Sequence, residues 1–421
     1  MIELIELLPG VELRCYRDGR FKQGCLSFQF LRPMCGGEAA LNALLPSVLL
    51  RGTNAHPTLR AITEHLDTLY GASVSTLVRR VGDYQTTGLY CGFMDDRFAL
   101  PGDRVLAPMV DFLGELLLDS PLQDGAFLPE FVEGEKKNLI ATIESELNDK
   151  RAYAMGRLLK TMCREDSFGL PRLGEKEQVA AIRPDELHRH YRKILRESRI
   201  QIFYVGSAPS ETLRELLMPL VSRLDRSYVN LPAQTAFSDT EGSHICEELD
   251  VSQGELCMGF TTPITNRDAD FPAMQLMNAI FGAGMTSKLF MNVREKLSLC
   301  YNVGSGYYGT KGIVTVAAGI DFDKELKTRE EILRQLAACQ DGEITPNELT
   351  AAKQSILSSL RATHDTPGAI EGYYATAALS GMAMTPKQYM EAIEAVTAEQ
   401  VAEAARTVRL HSSFFLKGVS Q

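Results

Sequence analysis

Apolar residues recur along the chain with alternating strand-like and helix-like spacing. Near the N-terminus, GVELRCYR from Gly10 and GCLSFQF from Gly24 flank Asp18-Gly19, and apolar-rich runs around Asp-Gly predict a β-hairpin. EAALNALLPSVLLRGT, from Glu38 to Thr53, predicts a buried helix, in which Pro46 should introduce a kink or mark a late first turn. A second helix is expected over TLRAITEHLDTLYGA from Thr58, then paired strands in SVSTLVRRV from Ser73 and YQTTGLYCGF from Tyr84. Three longer helical stretches run from about Arg104 to Arg164. RPDELHRHYRKIL, from Arg183, predicts a helix, and IQIFYVGS, from Ile200, a buried strand.

That ending returns at the C-terminus. Ile182–Ser207 and Val396–Val419 both run cap, helix, short basic connection, apolar strand, Gly. They stand half a chain apart, which predicts two halves sharing one fold, although an α+β chain can also repeat a helix-strand pair by chance. The polar stretch NLPAQTAFSDTEG, residues 230–242, divides them, giving domains 1–229 and 243–421. Thr345-Pro346-Asn347-Glu348 has the form of a capping box with Pro at the first helical position, and predicts a long helix to about Thr363.

Composition narrows the class. The 421 residues exceed one ordinary core and suit two domains of about 200 residues. A net charge of -10 with no Lys/Arg run offers no phosphate-neutralising surface, so no nucleic-acid partner is expected. No stretch approaches a membrane span, and MIELIELLPG places acid where a signal peptide carries positive charge; a cytoplasmic protein without membrane contact is expected. The nine cysteines include no C-x-x-C pair, so reduced, mostly core-filling thiols are expected.

A hydrolytic zinc site needs three protein ligands and an open position. On a helix, two histidines must be three or four residues apart to face one ion. The histidines at 56, 65, 188, 190, 244, 364 and 411 contain no such pair. His188 and His190 are expected to be solvated on different helix faces, and Glu64 and His65 to be exposed helix polar residues. No G-x-S-x-G elbow occurs, and Phe281-Gly282-Ala283-Gly284-Met285 lacks the Gly-Lys-Ser/Thr ending of a phosphate loop.

Leu276–Tyr301, LMNAIFGAGMTSKLFMNVREKLSLCY, closely resembles the second-domain signature of the insulinase/pitrilysin-type (inverzincin) metallopeptidases. There a Gly-rich loop, here with Gly282 and Gly284, leads into S-x-L-F-x-x-x-R-E-x-x-x-L-x-Y, matched by Ser287, Leu289, Phe290, Arg294, Glu295, Leu299 and Tyr301. LNALLPSVLLRGT resembles the family's zinc helix. Anchored on Leu49-Leu50-Arg51-Gly52-Thr53, the H-x-x-E-H histidines fall on Ala43 and Ser47, and the general base on Pro46. The third ligand, near the end of E-R-x-V-V-L-x-E-I, aligns with Thr142 in EKKNLIATI, with Glu144 nearby.

The resemblance therefore implies an α+β fold of two homologous domains, each a mostly antiparallel sheet with helices packed on one face, of the metallopeptidase (LuxS/processing-peptidase-like) type. It implies a chain without metal or other cofactor, similar to the bacterial YfmF-like group of inactive insulinase-type proteins. In such pairs a homologous, zinc-motif-bearing subunit, or a second copy, would form the other side of a clamshell. Arg294 and Tyr301 would bind a peptide or unfolded polypeptide there. The alternative is a non-proteolytic scaffold, with Arg294 paired to a local carboxylate and Tyr301 packed at a strand start.

Overall fold

Ile2–Leu8 forms a strand, β1, which turns at Gly10 (φ 73°) into β2, Val11–Arg17. β3 (Gln23–Pro33), α1 (Ala39–Leu49), α2 (Leu59–Thr68), β4 (Ser73–Val81) and β5 (Tyr84–Met94) follow. After α3 (Leu106–Leu118) and a two-residue ribbon, β6 (Leu122–Gln123) with β7 (Ala126–Phe127), come α4 (Pro129–Asn148), α5 (Lys150–Met162) and α6 (Lys176–Ala181). α7 (Pro184–Glu197), β8 (Arg199–Gly206) and α8 (Ser210–Ser222) end the first half. The second half holds β9 (His244–Leu249), β10 (Gly254–Thr261), α9 (Phe271–Phe281), a π-helix (Leu289–Lys296), β11 (Cys300–Tyr308) and β12 (Ile313–Ile320). It ends with α10 (Glu325–Gln340), α11 (Pro346–Ala362), α12 (Pro367–Ser380), α13 (Pro386–Ala395), α14 (Ala398–Arg406) and β13 (Arg409–Gly418). This computed structural model describes residues 2–233, 237 and 240–419. Of the expected linker, residues 230–233, 237 and 240–242 carry no regular element, and the rest lie outside the described residues.

Two sheets organise the chain. The first has the order β1-β2-β8-β3-β5-β4 and the second β11-β12-β10-β13-β9. In the first, β8 runs parallel to β2 and antiparallel to β3; in the second, β13 runs parallel to β9 and antiparallel to β10. Reversing the second order matches β2, β8, β3, β5 and β4 with β9, β13, β10, β12 and β11, so the repeated ending fills equivalent central positions. The expected hairpin at Asp18-Gly19 is not formed: β8 lies between its two arms, and β2 instead forms a hairpin with β1. A turn signal is local, whereas insertion of a strand from almost two hundred residues away is decided by the buried face of the sheet.

Each sheet buries one side under helices. Leu26, Phe28 and Phe30 of β3 and Leu89, Cys91 and Phe93 of β5 form a core with Leu44 and Val48 of α1, Leu113 of α3 and Ile194 of α7. The opposite faces also take one helix each. Ile370 and Tyr374 of α12 pack on Cys25, Phe203 and Val205, while Ala154 and Leu158 of α5 pack on Cys257, Ala317, Phe414 and Leu416. The compact units accordingly cross the sequence halves: one comprises Met1–Glu144, Leu170–Gln234 and His364–Thr376, the other Ser145–Gly169, Thr235–Thr363 and Ala377–Gln421. Glu371 anchors α12 within the first. Its fully buried carboxylate accepts from Ser27 Oγ and Gln29 Nε2, both at 2.8 Å, and from Arg79 Nη1 at 2.9 Å.

Candidate functional site

The degenerate zinc-helix positions lie on α1, where every side chain except Ser47 is buried. Pro46 does not start this helix, which continues through it to Leu49. Proline cannot donate to the carbonyl four residues back, and that carbonyl, of Asn42, accepts from Thr87 Oγ1 at 2.6 Å instead. Asn42 Nδ2 donates to Gln85 Oε1 at 2.9 Å, and Gln85 Nε2 donates to the carbonyls of Ala39 and Arg172. His190 Nε2 lies 2.7 Å from Asn42 Oδ1 and must donate to it, since that oxygen only accepts. His190 is thus buried rather than solvated, because it lies on the core-facing side of α7 with Leu187 and Ile194. Burial pushes its pKa down to about 4, which keeps the ring neutral.

These residues do not fit a zinc ion. Ala43 and Pro46 present only carbon, and Ser47 a half-buried hydroxyl. Thr142 Oγ1 donates to the Asn138 carbonyl at 3.0 Å, and Glu144 is paired with Lys176. Among the described residues no group of three His, Cys, Asp or Glu is arranged to hold a metal. His65 is half-buried rather than exposed, its ring 4.5 Å from that of His56 and 4.6 Å from Phe112, centroid to centroid. Two helix turns of sequence did not reveal that α3 would lie against it. Glu64 is exposed and paired with Arg60. Burial pushes the thiols of Cys15, Cys25, Cys257 and Cys339 up to about 12, and that of Cys300 to about 11, so these thiols are not nucleophiles at neutral pH.

The Arg294 region, in the other unit, is built differently. Gly282 ends α9 where a Cβ would meet Leu289 Cδ1 and Ser305 Oγ, both at 2.7 Å, so the loop packs closely against β11. Gly284 faces open space, and Ser287 Oγ donates to its carbonyl at 2.6 Å. The following helix is a π-helix, Leu289–Lys296, a rare form often found at functional sites. It ends through Ser298, a non-glycine residue in the left-handed region (φ 49°).

Arg294 Nε donates to the Tyr301 carbonyl at 2.9 Å, Nη1 lies 3.3 Å from Glu295 Oε1, and the guanidinium sits 4.7 Å from the centre of the Phe290 ring. Tyr301 occupies a β-bulge: Cys300 pairs with Ile320 and Asn302 with Gly319, leaving Tyr301 without an opposite residue. Bulges re-aim side chains, and this phenol is 59% exposed. Its hydroxyl donates to Asp321 Oδ1 at 2.7 Å, while Lys324 Nζ lies 2.8 Å from Asp321 Oδ2. The hydrogen bond to Asp321 raises the phenol pKa; Lys324 first, then Tyr301, lower that of Asp321. A recess of about 340 Å³ is lined by Arg294, Glu295, Ser298, Leu299, Cys300, Tyr301 and Lys324. The motif pointed to Arg294 and Tyr301 but not to Asp321 or Lys324, whose one signal was the charged DFDK segment after an apolar strand.

The family profile described as "Peptidase M16 inactive domain" matches residues 181–356. A relative from Bacillus subtilis (strain 168), "Probable inactive metalloprotease YmfF", is 29% identical over 409 residues, covering 97% of this chain and 96% of its own. The chain is a homologue of the M16 metallopeptidases. A crystal structure of a conserved protein from Enterococcus faecalis V583 superposes with a TM-score of 0.94 at 27% identity, covering 100% of this chain and 99% of that one. The Pseudomonas fluorescens "peptidase M16 inactive domain" structure gives 0.82 at 16% identity, over 100% and 98%, and supports the fold alone.

In this M16 homologue α1 serves as a packing element. Its polar contacts run through Asn42, Gln85, Thr87 and His190 rather than through metal ligands. Among the described residues no helix is long and apolar enough to cross a membrane.

Proposed function

We propose that this M16 homologue is the non-catalytic subunit of a zinc-dependent insulinase-type peptidase, supplying Arg294 and Tyr301 to a homologous partner subunit that carries the zinc. One observation carries this reading: the chain lacks a zinc ligand set on α1, yet places Arg294 beside a tyrosine projected from a β-bulge. With Nε and Nη1 engaged, Arg294 Nη2 has no protein partner among the described residues, leaving guanidinium donors for a substrate carbonyl. Tyr301 must exchange its bond to Asp321 before it can donate to a developing oxyanion. β4 and β11 are the terminal strands of their sheets, and an extended polypeptide could add to such an edge through backbone hydrogen bonds. Because Tyr301 lies at the start of β11, a strand added there would meet the pair.

Co-purification of the native chain followed by metal analysis tests the assembly; a companion of similar length with one zinc per heterodimer is expected. Within an active pair, Arg294→Ala should lower turnover about a hundredfold and leave the partner's zinc content unchanged. Unaltered turnover removes the assigned role. A second reading, a non-proteolytic scaffold, is favoured by the way Glu295 and Asp321 already engage both side chains within the chain. An inactive but stable pair would support it.

A further inference from the structure

Three polar side chains meet on the α5-covered face of the second sheet, at a point that neither the zinc helix nor the Arg294 recess includes. Asn302 and Glu255 stand opposite Gly319 on its two sides. A Cβ on Gly319 would lie 2.2 Å from Gln253 Nε2, 2.6 Å from Asn302 Nδ2 and 3.2 Å from Glu255 Oε1. All three side chains therefore end over the space that this glycine leaves.

Each also has a buried atom without a partner: Gln253 Nε2, Glu255 Oε2 and Asn302 Oδ1. Glu255 is only 7% exposed. A buried carboxylate without a hydrogen bond or ion pair is strongly unfavourable. Burial raises its pKa, and Arg151 opposes that only from beyond ion-pair reach, while Asp149 adds a second negative charge. Its oxygen Oε2, buried without a protein donor, is thus open to a positive partner closer than Arg151.

We propose that Glu255, Asn302 and Gln253 form a site for a small hard cation that ties β10, β11 and β12 together beside the bulge bearing Tyr301. No protein partner fixes the inward end of the Gln253 or Asn302 amide, so each can turn its oxygen inward. Two amide oxygens and a carboxylate, with water completing the shell, suit Ca²⁺ in preference to the softer metals that select imidazole or thiolate. With one direct carboxylate, and Arg151 working against the ion, affinity falls in the weak Ca²⁺ range, a Kd of about 10⁻⁴ to 10⁻³ M. This inference does not depend on the proposed peptidase role.

Calorimetric titration of the full chain with CaCl₂ in about 0.1 M KCl, which screens surface charge, is the test. One saturable site is expected, weakened at least about tenfold by Glu255→Gln and by Gly319→Ala, and tightened by Arg151→Ala. Thermal unfolding provides a second readout. Calcium should raise the Tm of the wild type but not of Glu255→Gln, whose metal-free Tm should equal or exceed the wild-type value because a buried charge is gone. No saturable binding up to about 10 mM CaCl₂, an upper bound set by that affinity range, would overturn the site. So would a Kd unchanged by both Glu255→Gln and Gly319→Ala.

Discussion

Protonation of His190 sets a defined acid limit on the first unit. The ring is buried and donates to Asn42, and its pKa is about 4 in the folded chain, against 6.5 for the ordinary side chain. The unfolded chain therefore binds more protons between these values, and stability rises with pH across that window. The contribution is fully present above about 6.5 and is lost as pH falls towards 4. At about 1.36 kcal/mol per pH unit the ceiling is roughly 3 kcal/mol, of which about 2 kcal/mol is gone at pH 5. Replacing the ring by Gln keeps a side-chain N–H for Asn42 but removes the titration. Urea unfolding of wild type and His190→Gln at pH 7.5, 6 and 5 isolates the effect, because every other titrating group cancels in the difference. The wild-type advantage should shrink by about 2 kcal/mol between pH 7.5 and pH 5. Parallel stability curves would refute both the burial and the neutral donor assigned to this residue.

The Pro46 carbonyl exchange can be tested by Thr87→Val, which should destabilise by about 1 to 2 kcal/mol in denaturant titration. Adding Pro46→Ala, which restores the backbone donor to Asn42, should recover part of that loss. Glu371→Ala should cost about 3 to 5 kcal/mol, since it strips a buried carboxylate from Arg79, Ser27 and Gln29; equal hydrogen-exchange protection of α12 in the variant would show that the anchor is unimportant.

The Arg294/Tyr301 motif was legible because its residues are close in sequence and follow a fixed order. Its restraints were not: Asp321 reaches Tyr301 from the end of β12, twenty positions on, and only the pairing of β11 with β12 brings them together. The bulge at Tyr301 is likewise a property of register, which one strand's sequence does not contain. That Ala43, Pro46 and Ser47 carry no imidazole or carboxylate is plain from the sequence, whereas the buried network that includes Asn42 and His190 joins residues 148 positions apart.

By itself, the sequence determined most of the first-half helices and strands, the capping box at Thr345 and the duplicated helix-strand ending, because periodicity and caps act over a few residues. Tertiary structure alone decided that β8 would part the arms of an expected hairpin. It also decided that α5 and α12 would cover the opposite faces of the sheets, and that Glu255 would be buried without a partner. Those outcomes depend on which distant apolar faces exclude water together, and strand alternation specifies that a face will be buried without naming what will cover it.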